Sequence, residues 1–168
     1  STWMHQYINE MKEHEFVLWV IGANAKDKGK FVYELPKNVV EVHEVFLDDA
    51  LRLKDSGKML HAFTEEETNS LKELMLCRRP NWEILFRLYH DQKLNPMSFL
   101  RSEEFLNILT ECCIKDYPYT PFADAFHTMR SMLLPVLYLM GSEVPKADVY
   151  HAICTGYGGL LACLGGHV

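Results

Sequence analysis

A chain of 168 residues that is 48% hydrophobic is long enough to bury a sizeable core, and that length corresponds to one domain. Its net charge of −6 argues against a nucleic-acid module, which would present a basic face, so no nucleic-acid partner is expected. No apolar run approaches the roughly 20 residues that span a bilayer, and no secretory leader is legible at the start. The five cysteines are odd in number, with Cys112 and Cys113 adjacent and no Cys-x-x-Cys pair. That pattern gives neither a disulfide framework nor a zinc site and fits a reducing cytoplasm. The eight histidines form no His-x-x-x-His or His-Glu-x-x-His spacing, so no metal is expected.

In chain order, Trp3, Met4, Tyr7, Ile8 and Met11 recur at helical intervals and predict an amphipathic first helix, with Trp3 in the core. Phe16 to Ile21 reads as a buried strand closed by Gly22, and Asn38 to Val45 as a second. Lys30 to Tyr33 is a short strand or turn ahead of Pro36. Helix, strand, connection, strand is the grammar of an α/β sheet. From Leu47 to Gly141 the pattern becomes helical. Thr64 with Glu67 is a capping-box signature for a helix reaching about Leu76, and Pro80 suits the first turn of the next, which carries Trp82, Leu85, Phe86 and Tyr89. A further helix begins near Ser102, with Phe105, Ile108 and Leu109 inward. Phe122, Phe126, Met129, Leu133, Val136 and Met140 then define a long helix that contains Pro135.

The last segment carries the most information. Asp148 to Ile153 is short and β-favouring and reads as a third strand of the same sheet. Thr155, Gly156, Tyr157, Gly158 and Gly159 form a glycine-rich turn, and Leu160, Leu161 and Leu164 start a helical stripe. Ligands of open α/β sheets bind where a strand's carboxyl end faces a helix amino terminus. The other reading is that the glycines serve only helix-on-sheet packing.

The segment "ADVYHAICTGYGGLLA" resembles the corresponding part of bacterial glycosyltransferases that build Pel-type exopolysaccharide, members of glycosyltransferase family 4. Three further segments agree in the same order: "STWMHQYINEMKEHEFVLWVIGA", "KFVYELPKNVVEVHEVFLDD" and "FADAFHTMRSMLLPVLYLM". The resemblance implies a retaining, nucleotide-sugar-dependent hexosyltransferase of GT-B architecture. On that basis the chain is expected to be a partial, Rossmann-like amino-terminal lobe with a parallel sheet and a helical insertion over about residues 50–140. A second lobe would hold the UDP-sugar donor and the catalytic groups, so no catalytic residue is nominated here and the chain alone is expected to be inactive.

What remains for this lobe is the glycan acceptor. Thr155, Gly156, Tyr157 and Gly158 are candidates to line the cleft through backbone amides, a hydroxyl and an aromatic ring. His5 and Gln6, at the start of the first helix, are candidates for polar contacts. His151 is also a candidate, although a hydrogen-bonded core histidine is the preferred reading. A second functional class is a non-catalytic interaction domain that docks a membrane export complex for the polysaccharide, from a cytoplasmic position at the inner face of the membrane. An exposed sheet edge would also favour self-association.

Overall fold

A computed structural model describes residues 2–54, 61–91 and 94–167. The chain ends at Ser1 and Val168, and parts of the expected helical insertion (55–60 and 92–93), lie outside the described residues. The fold is mixed α/β, and the chain divides into two compact units, one built from residues 2–51 and 142–166 and a second centred on Arg52–Gly141.

The first unit opens with helix α1 (Thr2–Glu10), which buries Ile8. Trp3 is not core: it is 54% exposed and lies flat on Tyr7, with ring centroids 5.2 Å apart. Four residues separate the two rings, so the indole satisfies its packing within the helix surface. The Asn38 side-chain amide donates towards the carbonyls of Ile8, Met11 and His14 at 2.9, 3.1 and 3.2 Å. It thereby serves carbonyls that a helix end leaves free and ties them to the start of the sheet.

Strands β1 (Phe16–Gly22) and β2 (Val39–Phe46) pair in parallel, from Val17 opposite Glu41 to Gly22 opposite Phe46. Both strands fall within a residue of their expected bounds. β1 is half-buried along its whole length rather than buried, because among the described residues β2 is its one neighbour in a two-stranded sheet. Residues 30–36, between the strands, form an irregular loop.

The expected third strand is absent: residues 148–153 are irregular and join no ladder among the described residues. Their composition favours a strand, but a strand exists only through a neighbour that accepts its hydrogen bonds. This stretch and β1 both border a cavity, and no ladder joins them. Helix α7 (Tyr157–His167) follows and buries Leu160, Leu161 and Leu164. Gly165 meets the Tyr150 ring so closely that a Cβ would fall 2.6 Å from Cε1.

The second unit is helical: α2 (Glu65–Met75), α3 (Trp82–His90), the short α4 (Pro96–Phe99), α5 (Glu103–Lys115) and α6 (Phe122–Met140). Its interior is formed by Leu71, Met75, Leu85, Phe99, Phe105, Leu109 and Leu137, all buried. The capping box of α2 is complete, with Glu67 N–H donating to Thr64 Oγ1 and Thr64 N–H to the Glu67 carboxylate at 2.8 Å. Pro80 lies outside α3, whose first turn is capped by the Asn81 side chain. In α6 the buried face is Ala125, Met129, Leu133, Leu134 and Leu137, and Phe122 at its first position is exposed.

Candidate functional site

The first unit encloses one side of an open cavity of about 850 Å³, within the size range of small-molecule sites. Its wall is built from Met4, His5 and Ile8 of α1, residues 17–22 of β1 with Ala23, most of the loop at 30–36, Leu47, and most of residues 145–158 leading into α7, with Leu161 and Ala162. Most lining side chains are apolar, and the convergent polar groups are few.

Five of the seven residues singled out from sequence border this cavity: His5, His151, Thr155, Tyr157 and Gly158. They come from chain positions about 150 residues apart, brought together because α1 and the segment before α7 face the same space. Gln6 is exposed and Gly156 adjoins the wall without lining it.

His5 is held from two sides. Its Nε2 lies 3.2 Å from the Glu34 carbonyl, and the Asn9 amide approaches Nδ1 at 3.2 Å while donating to the His5 carbonyl at 2.8 Å. A carbonyl accepts and an amide NH₂ donates, so this pair selects the tautomer with hydrogen on Nε2. Thr2 Oγ1 and the Tyr33 hydroxyl, 3.1 Å apart, add a second tie between α1 and the loop. His151 is not the core histidine preferred from sequence. It is exposed and meets the edge of Tyr7 at 5.9 Å. Losing the strand at 148–153 leaves it on an irregular segment at the surface, where a histidine needs no buried partner.

The turn before α7 is shaped by Gly156, whose φ of 73° is the left-handed conformation that glycine adopts without strain. Its carbonyl accepts from Leu160 N–H at 2.9 Å, the first bond of the helix. The amides of Tyr157, Gly158 and Gly159 belong to the first turn and have no partner within the helix. Thr155 is exposed and Tyr157 is 37% exposed, so a hydroxyl, a phenol and a set of helix-start amides occupy one rim.

Sequence reasoning missed the loop at 30–36. Phe31, Val32, Tyr33 and Leu35 are all exposed and all border the cavity. An apolar run ahead of Pro36, outside any periodic segment, was the available signal. It also missed Trp19, whose indole Nε1 is buried without a hydrogen-bond partner while the residue borders the cavity. No group of three or more His, Cys, Asp or Glu among the described residues is disposed to hold a metal ion. Burial pushes the Cys112 thiol up, which makes it a packing residue rather than a nucleophile.

The architecture thus defines an α/β unit with a ligand-sized cavity beside a parallel strand pair, accompanied by a helical unit. Over residues 1–168 the chain matches, and belongs to, the family described as Domain of unknown function (DUF3492). No curated protein and no solved structure matches it. Among the described residues, no helix is long and apolar enough to cross a membrane.

Proposed function

We propose that this chain forms the acceptor-side lobe of a retaining, nucleotide-sugar-dependent glycosyltransferase of GT-B type that extends a Pel-like exopolysaccharide. The UDP-sugar donor and the catalytic groups belong to a second α/β lobe. The observation that carries this reading is that His5, His151, Thr155, Tyr157 and Gly158 border one cavity. The four ordered segments resembling Pel-type enzymes support the reaction class. A sugar hydroxyl needs donors and acceptors fixed in place, and an apolar bed strengthens each of them by excluding water. The rim of α7 offers both.

The test is Gly158→Val in a polypeptide carrying both lobes, assayed with a panel of UDP-sugars. A Cβ at Gly158 meets only Cys154 Sγ, at 3.2 Å, a side chain able to move aside. Transfer should therefore fall much more than thermal stability. If the variant melts many degrees lower and its folded fraction transfers normally, the turn is structural and the assignment of Thr155, Tyr157 and Gly158 is wrong. Gly156 is a poorer test, because a side chain at φ 73° strains the backbone whatever the substrate does. The 168-residue chain alone should transfer nothing, and turnover by it would place the reaction in the wrong half.

A second reading, docking of a polysaccharide export partner, draws on the helical unit. Ile114 and Tyr119, flanking the α5–α6 turn, are 71% and 98% exposed. Replacing both with serine should leave transfer unchanged and reduce export if that surface is a docking site.

A further inference from the structure

The loop at 30–36 takes its shape from outside itself. Among the described residues, none from 31 to 35 donates or accepts a backbone-to-backbone hydrogen bond. Its two ends are fixed to the strand pair. Gly29, at φ 72°, donates its N–H to the Glu44 carboxylate at 3.1 Å, and the Pro36 carbonyl accepts from Val39 N–H at 3.0 Å. Between those anchors the first turn of α1 holds it by three contacts. The Tyr33 hydroxyl meets Thr2 Oγ1 at 3.1 Å, the Glu34 carbonyl meets His5 Nε2 at 3.2 Å, and the Tyr33 and His5 rings lie 5.7 Å apart at 38°. An irregular loop locked by side chains of a rigid neighbour is how recognition loops are positioned.

We infer that this loop is the specificity wall of the cavity, with Tyr33 as a platform for the apolar face of a pyranose and His5 as the positioning residue that holds it there. The inference rests on the glycan-acceptor reading and names the part of the acceptor that is recognised. His5 has no ring nitrogen to offer a ligand. Its Nε2–H points to the Glu34 carbonyl and its Nδ1 accepts from the Asn9 amide, so both nitrogens are engaged within the protein. Its effect on a sugar therefore passes through the loop.

Tyr33 is the reverse case. Its hydroxyl is tied to Thr2, yet the residue is 47% exposed and borders the cavity, so a ring of fixed orientation keeps free surface. Holding it before the ligand arrives lowers the ordering cost of binding. The ring and its neighbours Val32 and Leu35 suit C–H groups, while the rim at Thr155 and Tyr157 supplies hydroxyls. A pyranose presents both, a face of C–H groups and an edge of hydroxyls. A wholly apolar ligand would leave the rim donors unused. A charged ligand finds one Lys, Arg, Asp or Glu among the described lining residues, Lys30, which already pairs with Asp27 at 3.1 Å.

The test is saturation-transfer NMR on the chain with methyl β-D-galactopyranoside, whose axial hydroxyl leaves the opposite face a continuous C–H surface. Galactitol, an open-chain polyol with no fixed face, is the control. Saturating the aromatic protons should attenuate the galactoside protons of that C–H face more than those of the other, and galactitol hardly at all. Tyr33→Leu should cut this transfer by about fivefold. His5→Ala should cut it similarly and speed amide exchange over 31–35, and His5→Gln should restore both, because the glutamine amide can donate to the Glu34 carbonyl. Absence of transfer to the galactoside in the parent chain, equal transfer to galactitol, or no effect of Tyr33→Leu would overturn the platform. A His5→Gln variant as weak as His5→Ala would overturn the positioning role. Should Tyr33→Leu fail to fold, the Tyr33 ring resonances of the parent chain decide: a shift on adding the galactoside supports the platform and no shift rejects it. Galactoside binding as described, with no turnover by a two-lobe polypeptide, would reject the transferase reading alone, whereas turnover that Tyr33→Leu leaves unchanged would reject this inference alone.

Discussion

Gly165 shows how much one position decides. Tyr150 lies against it and donates its hydroxyl to the Pro145 carbonyl at 2.7 Å, which pins the segment before α7 onto the helix. Gly165→Ala forces a methyl into the ring and should destabilise by about 1–3 kcal/mol, as overpacking does. In a Tyr150→Ala background the same substitution should cost little, and a double-mutant cycle by urea unfolding measures that coupling. Glu111 makes a different kind of prediction. Hydrogen bonds from Lys115 and Lys72, both 2.7 Å away, hold its carboxyl down from 4.5 to about 2. A depressed folded pKa stabilises above 4.5 and loses that contribution as pH falls from 4.5 to about 2. The acid limb of the stability profile should therefore be shallower in Glu111→Gln than in the parent. Because the carboxylate is exposed, added salt should narrow the difference, and identical limbs would show that the pair contributes nothing.

Among the elements, α2 is the one whose ends were most legible. Thr64 and Glu67 stand three apart before an apolar run, and both reciprocal bonds form. Thr64→Ala should cost about 1 kcal/mol in chemical denaturation, and an unchanged midpoint would show that water replaces the cap. Glu67 carries a second contact, with His61 Nε2 at 2.9 Å. Burial raises the Glu67 carboxyl, but the Thr64 and His61 hydrogen bonds outweigh it, so the group sits below its ordinary value and favours the box at neutral pH. α3 was legible in content but shifted at its start, because both Pro80 and Asn81 are start signals and the Asn81 side chain makes the bond. The loop at 30–36 carried one local mark, an apolar run ahead of Pro36, and such a run does not by itself distinguish a cavity wall from a segment that enters a core.

At the scale of the molecule, the helical unit is continuous in sequence, whereas the α/β unit is assembled from both ends of the chain. A polypeptide of residues 52–141 should therefore fold alone, giving helical circular dichroism and a cooperative thermal transition. A broad, non-cooperative melt would show that its buried face, including Phe99, Phe105 and Leu109, needs the rest of the chain. The α/β unit has no such continuous counterpart, because α1 and β1 precede the helices and α7 follows them.

Local pattern by itself determined the elements: helical spacing marked α1, α5 and α6, apolar β-branched runs marked β1 and β2, and caps marked where helices begin. Five of the seven candidate residues border one cavity, because the turn before α7 and the start of α1 face the same space. Tertiary structure alone decided three matters. Residues 148–153 form no strand because a strand depends on a partner that local sequence does not name. Trp3 and His151 stand outside the core because burial depends on what lies opposite. Among the described residues β1 pairs with β2 and borders an apolar cavity, because pairing is a long-range property, settled where chain segments meet and not where each is encoded.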